Sequence, residues 1–196
     1  MMGSGLFSTM VALHSGVGQV VDVNLLDSML HVMGAVPSAA SYLGYDHPRL
    51  GSGIPYTVPR GTYRCADGAW VAVSTSSEPV AARVLELVGL GWDERLRTSS
   101  GRVAHRDEVD AAVSEWIGAR PAAEVLAAFE EADAAIAPVL TPGEVVQDPH
   151  VVARESLVEV DGMPMQGVVA RLSATPGSVR WAGRPLGADD GDPDLA

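Results

Sequence analysis

The sequence predicts an α/β fold with an incomplete first layer, and three observations lead there. Runs such as Gln19-Val20-Val21-Asp22-Val23, Gly61–Cys65 and Trp70–Thr75 are rich in β-branched and aromatic residues and read as strands. Other segments repeat apolar residues at i, i+4 and i+7, the spacing of one helix face. Glycine and proline collect between these runs, most densely from Tyr45 to Thr62.

Met2–Leu13 is a mixed apolar segment that ends in Ser15-Gly16-Val17-Gly18, as a helix with its start cut away and a glycine stop would. Gln19–Val23 follows as a strand, so the unit that opens here lacks the strand expected before it. Asn24 caps the next helix, with Asp27 three residues on, and Leu25, Leu26, Met29, Leu30 and Met33 recur at helical spacing. Beyond the Tyr45–Thr62 connection, Asp67-Gly68 between two strand-like runs is a strong hairpin signal. Ser77 caps a helix with Val80, Val84, Leu87 and Val88 on one face, and a second helix carries Val109, Val113, Trp116 and Ile117. A third takes Pro121 in its first turn and buries Val125, Leu126 and Phe129. Ala137–Leu140 is a short extended piece, and Thr141-Pro142-Gly143-Glu144 combines a cap, a first-turn proline and a capping-box acid. Leu157–Val160 and Gly167–Ala170 read as a closing pair of strands around Asp161-Gly162, and the residues from Gly187 onward as a disordered acidic tail.

Composition narrows the function. A chain of 196 residues with 47% hydrophobic side chains fills one core or two small ones. A formal charge of −12 argues against nucleic acid and anionic membranes, which demand a basic surface. There is no lysine, and the 13 cations are arginines scattered from Arg49 to Arg184. A phosphate-bearing ligand is normally met by clustered cations or a glycine-rich helix start, and neither stands out here. No apolar run approaches the roughly 18 residues of a membrane span, and Met1–Leu13 lacks the basic start of a signal peptide, so the expected location is the cytoplasm. The single cysteine, Cys65, excludes an internal disulfide and reads as a buried structural residue where a strand meets a turn.

The chemical motifs are sparse. His14, His31, His47, His105 and His150 stand singly, with no acid at metal-ligand spacing, so no metal is expected. Gly16-Val17-Gly18 precedes a strand and has no third glycine, unlike a dinucleotide fingerprint, and no Gly-x-Ser-x-Gly elbow supports a serine hydrolase. The acid pairs Asp107-Glu108 and Glu130-Glu131 fall on polar helix faces, where charge is simply solvated. Gly51-Ser52-Gly53-Ile54-Pro55-Tyr56 is the best candidate for ligand contact, because glycine lets backbone amides approach a ligand, although an ordinary loop would use the same residues.

These readings supply no reaction, but an ordered set of segments does. Gly18-Gln19-Val20-Val21-Asp22-Val23-Asn24-Leu25-Leu26-Asp27-Ser28 resembles the family III CoA-transferase segment in which a Gly-Gln turn leads into a Val-Asp-Val strand and a Leu-Leu-Asp-Ser helix. Arg49–Gly53, Gly61-Thr62-Tyr63-Arg64 with Asp67-Gly68, and Trp70–Val73 are similar to the family's approach to its small domain. Arg102–Val109, Ala137-Pro138-Val139, Asp148–Arg154, Leu172–Gly177 and Pro185-Leu186-Gly187 follow in the family's order. The resemblance runs from about Gly3 to Asp190.

The resemblance implies the C-terminal part of a Rossmann-like large domain plus an inserted small α+β domain, in a homodimer whose subunits interlock like links. Residues 1–44 would then be a remnant of a large-domain strand-helix unit, 45–59 a linker, 60–145 the small domain, 146–186 the return to the large domain and 187–196 the tail. It also implies covalent catalysis in which an aspartate attacks an acyl-CoA, becomes an aspartyl-CoA thioester and hands CoA to a carboxylic acid acceptor. By this resemblance the aspartate falls a few residues before Met1, so no catalytic residue is expected within the chain, and pairing with an N-terminal half is an alternative to the homodimer. Coenzyme A enters as substrate, with no resident cofactor. Gly51, Ser52 and Gly53 align with the family's glycine-rich loop, which closes over the reacting thioester and shields it from water. The long glycine run of that loop is not present here. A second expectation is α-methylacyl-CoA racemase, whose proton-transfer glutamate has a setting like Glu78-Pro79 after Val71-Ala72-Val73. A third is a non-catalytic partner subunit.

Overall fold

The computed structural model describes residues 2–188, and the acidic tail read from the sequence lies, from residue 189, outside them. Nine α-helices and five strands are present among the described residues, with one 3₁₀ turn, Glu94–Leu96. The contacts divide the chain into two compact units, one drawn from Met1–Gly61 and Thr75–Ala111, the other from Thr62–Ser74 and Ala112–Ala196.

In the first unit, α1 (Met2–Ser15) stops at Gly16, whose φ of 69° lies in the left-handed region that glycine adopts without strain. Gln19–Val23 is not a strand. Its β-branched residues favour extension, but a strand is completed by a hydrogen-bonding neighbour, and no described strand pairs with it. Asn24 caps α2 (Leu25–Met33) by accepting the Leu26 amide at 2.7 Å. Gly34 breaks the helix, and α3 (Val36–Leu43), a separate helix within the 1–44 segment, follows with a proline in its first turn. The connection from Gly44 to Pro59 holds no regular element beyond a bridge between Ile54 and Thr57. Helix α4 (Glu78–Leu87) starts after Ser77, but its buried residues are Ala81, Val84 and Leu85, so the inward stripe is turned from the expected Val80-Val84-Leu87-Val88 line. The 3₁₀ turn, α5 (Ser99–Ala104) and the start of α6 (Arg106–Gly118) complete this unit, with Val58, Leu96 and Val109 buried.

The second unit is built on a sheet ordered β1 (Arg60–Arg64), β2 (Trp70–Ser74), β3 (Ile136–Pro138). Asp67-Gly68 makes the expected turn, with Gly68 at φ 89° and the Ala69 amide donating to the Asp67 carboxylate. The other Asp67 oxygen accepts the Ala122 amide at 2.9 Å and so ties the turn to the start of α7 (Ala122–Glu131). Pro121 is the N-cap of α7 and not its first-turn residue, one position earlier than expected. Val71, Val73, Val113, Ile117, Val125 and Phe129 form the interior, with Trp116 edge-on to Phe129 and Arg120 stacked over the Trp116 ring. Cys65 is buried there, and burial, then the charge of Asp67, pushes its thiol up from the ordinary value.

Thr141 and Glu144 form the full capping box of α8 (Pro142–Gln147), and Asp148 caps α9 (Pro149–Ala153). The closing hairpin pairs β4 (Leu157–Val160) with β5 (Met163–Gln166), so the second strand begins four residues before the expected Gly167–Ala170. The turn decides this: Asp161 and Gly162 both have positive φ, 54° and 76°, and a two-residue loop of that kind opens the partner strand at the next residue. The β-branched Val168-Val169 pair lies outside it.

Candidate functional site

The loop from Leu50 to Pro59 carries the glycine candidates, and its path follows from a few backbone requirements. Gly51 has φ 59°, where a Cβ would crowd the following carbonyl, and the Gly53 amide closes the turn onto the Leu50 carbonyl at 2.9 Å. A Cβ built on Gly53 would stand 3.2 Å from the Leu50 oxygen, 3.3 Å from the Arg60 oxygen and 3.4 Å from Nη1 of Arg106. A side chain at Gly53 would thus press on the Leu50 and Arg60 carbonyls, which would have to give way by a few tenths of an ångström.

The carbonyls of this loop are taken up by side chains. Arg106 Nη2 donates to Ile54 at 2.7 Å, Ser99 Oγ to Tyr56 at 3.4 Å, Arg102 Nε to Val58 at 2.9 Å and Thr75 Oγ1 to Pro59 at 2.7 Å. Arg102 is 4% exposed, and its Nη1 also reaches the carbonyls of Leu96 and Arg97 and the Glu78 carboxylate at 2.8 Å. Buried guanidinium is tolerated only when its donors are matched in this way, and arginine's planar fork does so with little reorganisation.

Glu78, the expected racemase base, stands at the first turn of α4. Its second oxygen accepts the Ser99 amide at 2.9 Å, so both oxygens are engaged. The Arg102 guanidinium, helped by the Ser99 amide and opposed by partial desolvation, holds this carboxyl below its ordinary range. A base stabilised as carboxylate is a weaker proton acceptor. Gly51, Ser52 and Gly53 share one turn, and Glu78 reaches the same loop through Arg102 and Val58.

The loop also forms one wall of an apolar cavity of about 290 Å³, where Pro55 and Tyr56 face Val36, Ala39, Tyr45 and His47. The His47 ring meets Tyr45 edge-on. Among the described residues no group of three or more His, Cys, Asp or Glu is placed to hold a metal. Ser99, Arg102 and Arg106 were not singled out as site residues from the sequence. The two arginines lie four apart in the Arg102–Val109 segment, but nothing in that spacing says which carbonyls they reach, and Ser99 carries no signal of its own.

The chain matches the profile of CoA-transferase family III over residues 3–190. It belongs to that family. Succinyl-CoA–D-citramalate CoA-transferase of Chloroflexus aurantiacus is 32% identical over 190 residues, covering 91% of this chain and 47% of the relative. The beta subunit of succinyl-CoA–L-malate CoA-transferase from the same species is 30% identical over 183 residues, covering 88% of this chain and 45% of that one. The chain therefore spans about half the length of the curated relatives it matches. Among solved structures, a CaiB/BaiF family protein from Brucella suis superposes with a TM-score of 0.69 at 24% identity, covering 91% of this chain and 51% of that one. A Mycobacterium tuberculosis protein superposes at 0.67 with 18% identity, covering 90% and 46%. The family III fold, a mixture of helix and sheet, is accordingly the fold of this chain.

Proposed function

We propose that this chain is part of an enzyme that moves CoA between an acyl-CoA and a carboxylic acid through an aspartyl-CoA intermediate. The family match over residues 3–190 carries this proposal, supported by relatives whose names specify succinyl-CoA as donor. In the proposed cycle an aspartate oxygen attacks the thioester carbonyl and expels CoA thiolate, leaving a mixed anhydride. The thiolate then attacks the aspartyl carbonyl, releasing the donor's carboxylate and forming aspartyl-CoA; the acceptor carboxylate repeats the two steps in reverse. Among the described carboxylates, Glu78, Asp93, Asp67 and Glu144 are held by Arg102, Arg95, two backbone amides and Thr141 respectively. None of these is assigned the attack, and in this proposal the aspartate comes from outside residues 2–188.

Gly51, Ser52 and Gly53 are proposed to lie against the reacting thioester and keep water from it. Residues 60–145 are proposed as the small domain, between the linker 45–59 and the return to the large domain over 146–186. The location proposed is the cytoplasm; no helix among the described residues is long and apolar enough to cross a membrane. The exposed apolar side chains of α1 and α2, among them Leu6, Phe7, Leu25, Leu26 and Met29, support assembly with a second chain, either a copy of itself or an N-terminal half.

The test uses protein purified from its native host, so that any partner chain is retained. Incubated with succinyl-CoA and malate or citramalate, it should produce the new acyl-CoA, and hydroxylamine should trap the enzyme-bound thioester. No CoA exchange with any carboxylate acceptor would sink the proposal. The racemase alternative ranks second because both Glu78 oxygens are occupied. Loss of deuterium from the α-carbon of a 2-methylacyl-CoA, abolished by Glu78→Gln, would put it first.

A further inference from the structure

The loop that holds Gly51, Ser52 and Gly53 is gripped from one side by three side chains close together in sequence. Ser99 takes Tyr56, Arg102 takes Val58 and Arg106 takes Ile54. The three grips differ in kind. Arg102 is almost fully buried and bonded to three carbonyls and a carboxylate, so it belongs to the interior as much as to the loop. The Ser99 hydroxyl bond is long, at 3.4 Å. Arg106 is 14% exposed, makes the shortest bond of the three to the loop, at 2.7 Å, and stands nearest the glycines. Its Nη1 lies 3.8 Å from the Asp110 carboxylate, one helical turn further on, a charge pair that favours the guanidinium on this face of α6.

We propose that Arg106 is the positioning residue of the Gly51-Ser52-Gly53 turn. Arg102 and Ser99 anchor the leg of the loop that runs into β1, and Arg106 fixes the leg next to the glycines, so the turn is a preformed wall and not a free lid. Gly53 stands beside this contact, a Cβ built on it lying 3.4 Å from Nη1 of Arg106, so the guanidinium packs directly against the glycine turn. The consequence for catalysis rests on the proposed placement of this turn beside the thioester; the clamp itself does not.

Hydrogen–deuterium exchange with mass spectrometry tests the clamp on the protein as purified, comparing peptides that cover residues 51–57 and 60–74. In Arg106→Gln, exchange over 51–57 should quicken by about tenfold, the expected loss from one charge-assisted hydrogen bond, while 60–74 keeps its protection. Arg106→Lys retains one donor and should give a smaller acceleration confined to the same peptide. If Arg106→Gln loses protection in both peptides, the lysine variant is judged by the same rule. Acceleration confined to 51–57 in either variant supports the clamp, and its absence from both overturns it. The ratio of acyl-CoA hydrolysis to transfer separates the two claims. A raised ratio in Arg106→Gln, recovered in Arg106→Lys, assigns the clamp to water exclusion. An unchanged ratio keeps the clamp and removes that role, and failure of all transfer removes the proposed function while leaving the exchange result standing.

Discussion

Phe7 and Phe129 are both helical, yet Phe7 is 71% exposed and Phe129 is fully buried. The contrast extends to their surroundings. From residue 3 to 44 only Ser28 is buried, although Leu6, Met10, Leu25, Leu26, Met29 and Val32 are large and apolar. From Val58 to Phe129 the same kinds of residue form two closed interiors. Apolar spacing states which face of an element loses free energy in water, but whether that face is covered depends on what packs against it. Helices α1 and α2 are rich in large apolar residues that the rest of the described chain leaves mostly exposed, the basis of the assembly proposed above.

The comparison is broken most severely by truncating its buried member. Phe129→Ala should lower stability by about 3–5 kcal/mol in urea unfolding, whereas Phe7→Ala in the isolated chain should change it by less than about 0.5 kcal/mol. Equal effects would mean that α1 is packed in solution after all. Arg102→Met should cost about 3 kcal/mol, since it strands the Val58, Leu96 and Arg97 carbonyls and removes the partner of Glu78. A midpoint within error of the wild type would deny Arg102 its place in the interior.

Gly51→Ala should cost about 1 kcal/mol, because alanine at φ 59° meets the left-handed penalty even though open space surrounds the site. Glu78 sharpens the comparison through pH. Its folded carboxyl titrates below the ordinary value of 4.5, so the unfolded chain takes up protons first as pH falls. The Glu78 contribution is therefore complete above about pH 4.5 and disappears as pH drops through the lower folded value, and Glu78→Gln should flatten the stability curve there. Because the side chain is half exposed, the slope is modest. The smallest effect on folding and the clearest on association belongs to Leu6→Glu with Phe7→Glu. Unfolding should be unchanged, while light scattering should show loss of any dimer or heteromer that the wild type forms; an intact assembly would place the interface elsewhere.

Sequence alone determined much of this protein. Asn24, the Thr141–Glu144 box and Asp67-Gly68 act within a few residues of themselves, so cap, box and turn were legible without knowledge of the rest of the chain. The family was legible for a related reason, since an ordered series of local motifs survives in the linear text. Tertiary structure alone decided three things. Gln19–Val23 has strand-forming residues but becomes a strand only beside a partner edge. The inward face of α4 is chosen by its neighbours, which select Ala81 and Leu85 over Val80 and Leu87. The grip of Ser99, Arg102 and Arg106 on the Ile54–Val58 carbonyls joins groups more than forty residues apart. Local hydrogen bonds and dihedral preferences are written in short segments, whereas the partner of a buried guanidinium is fixed only when distant parts of the chain are brought together.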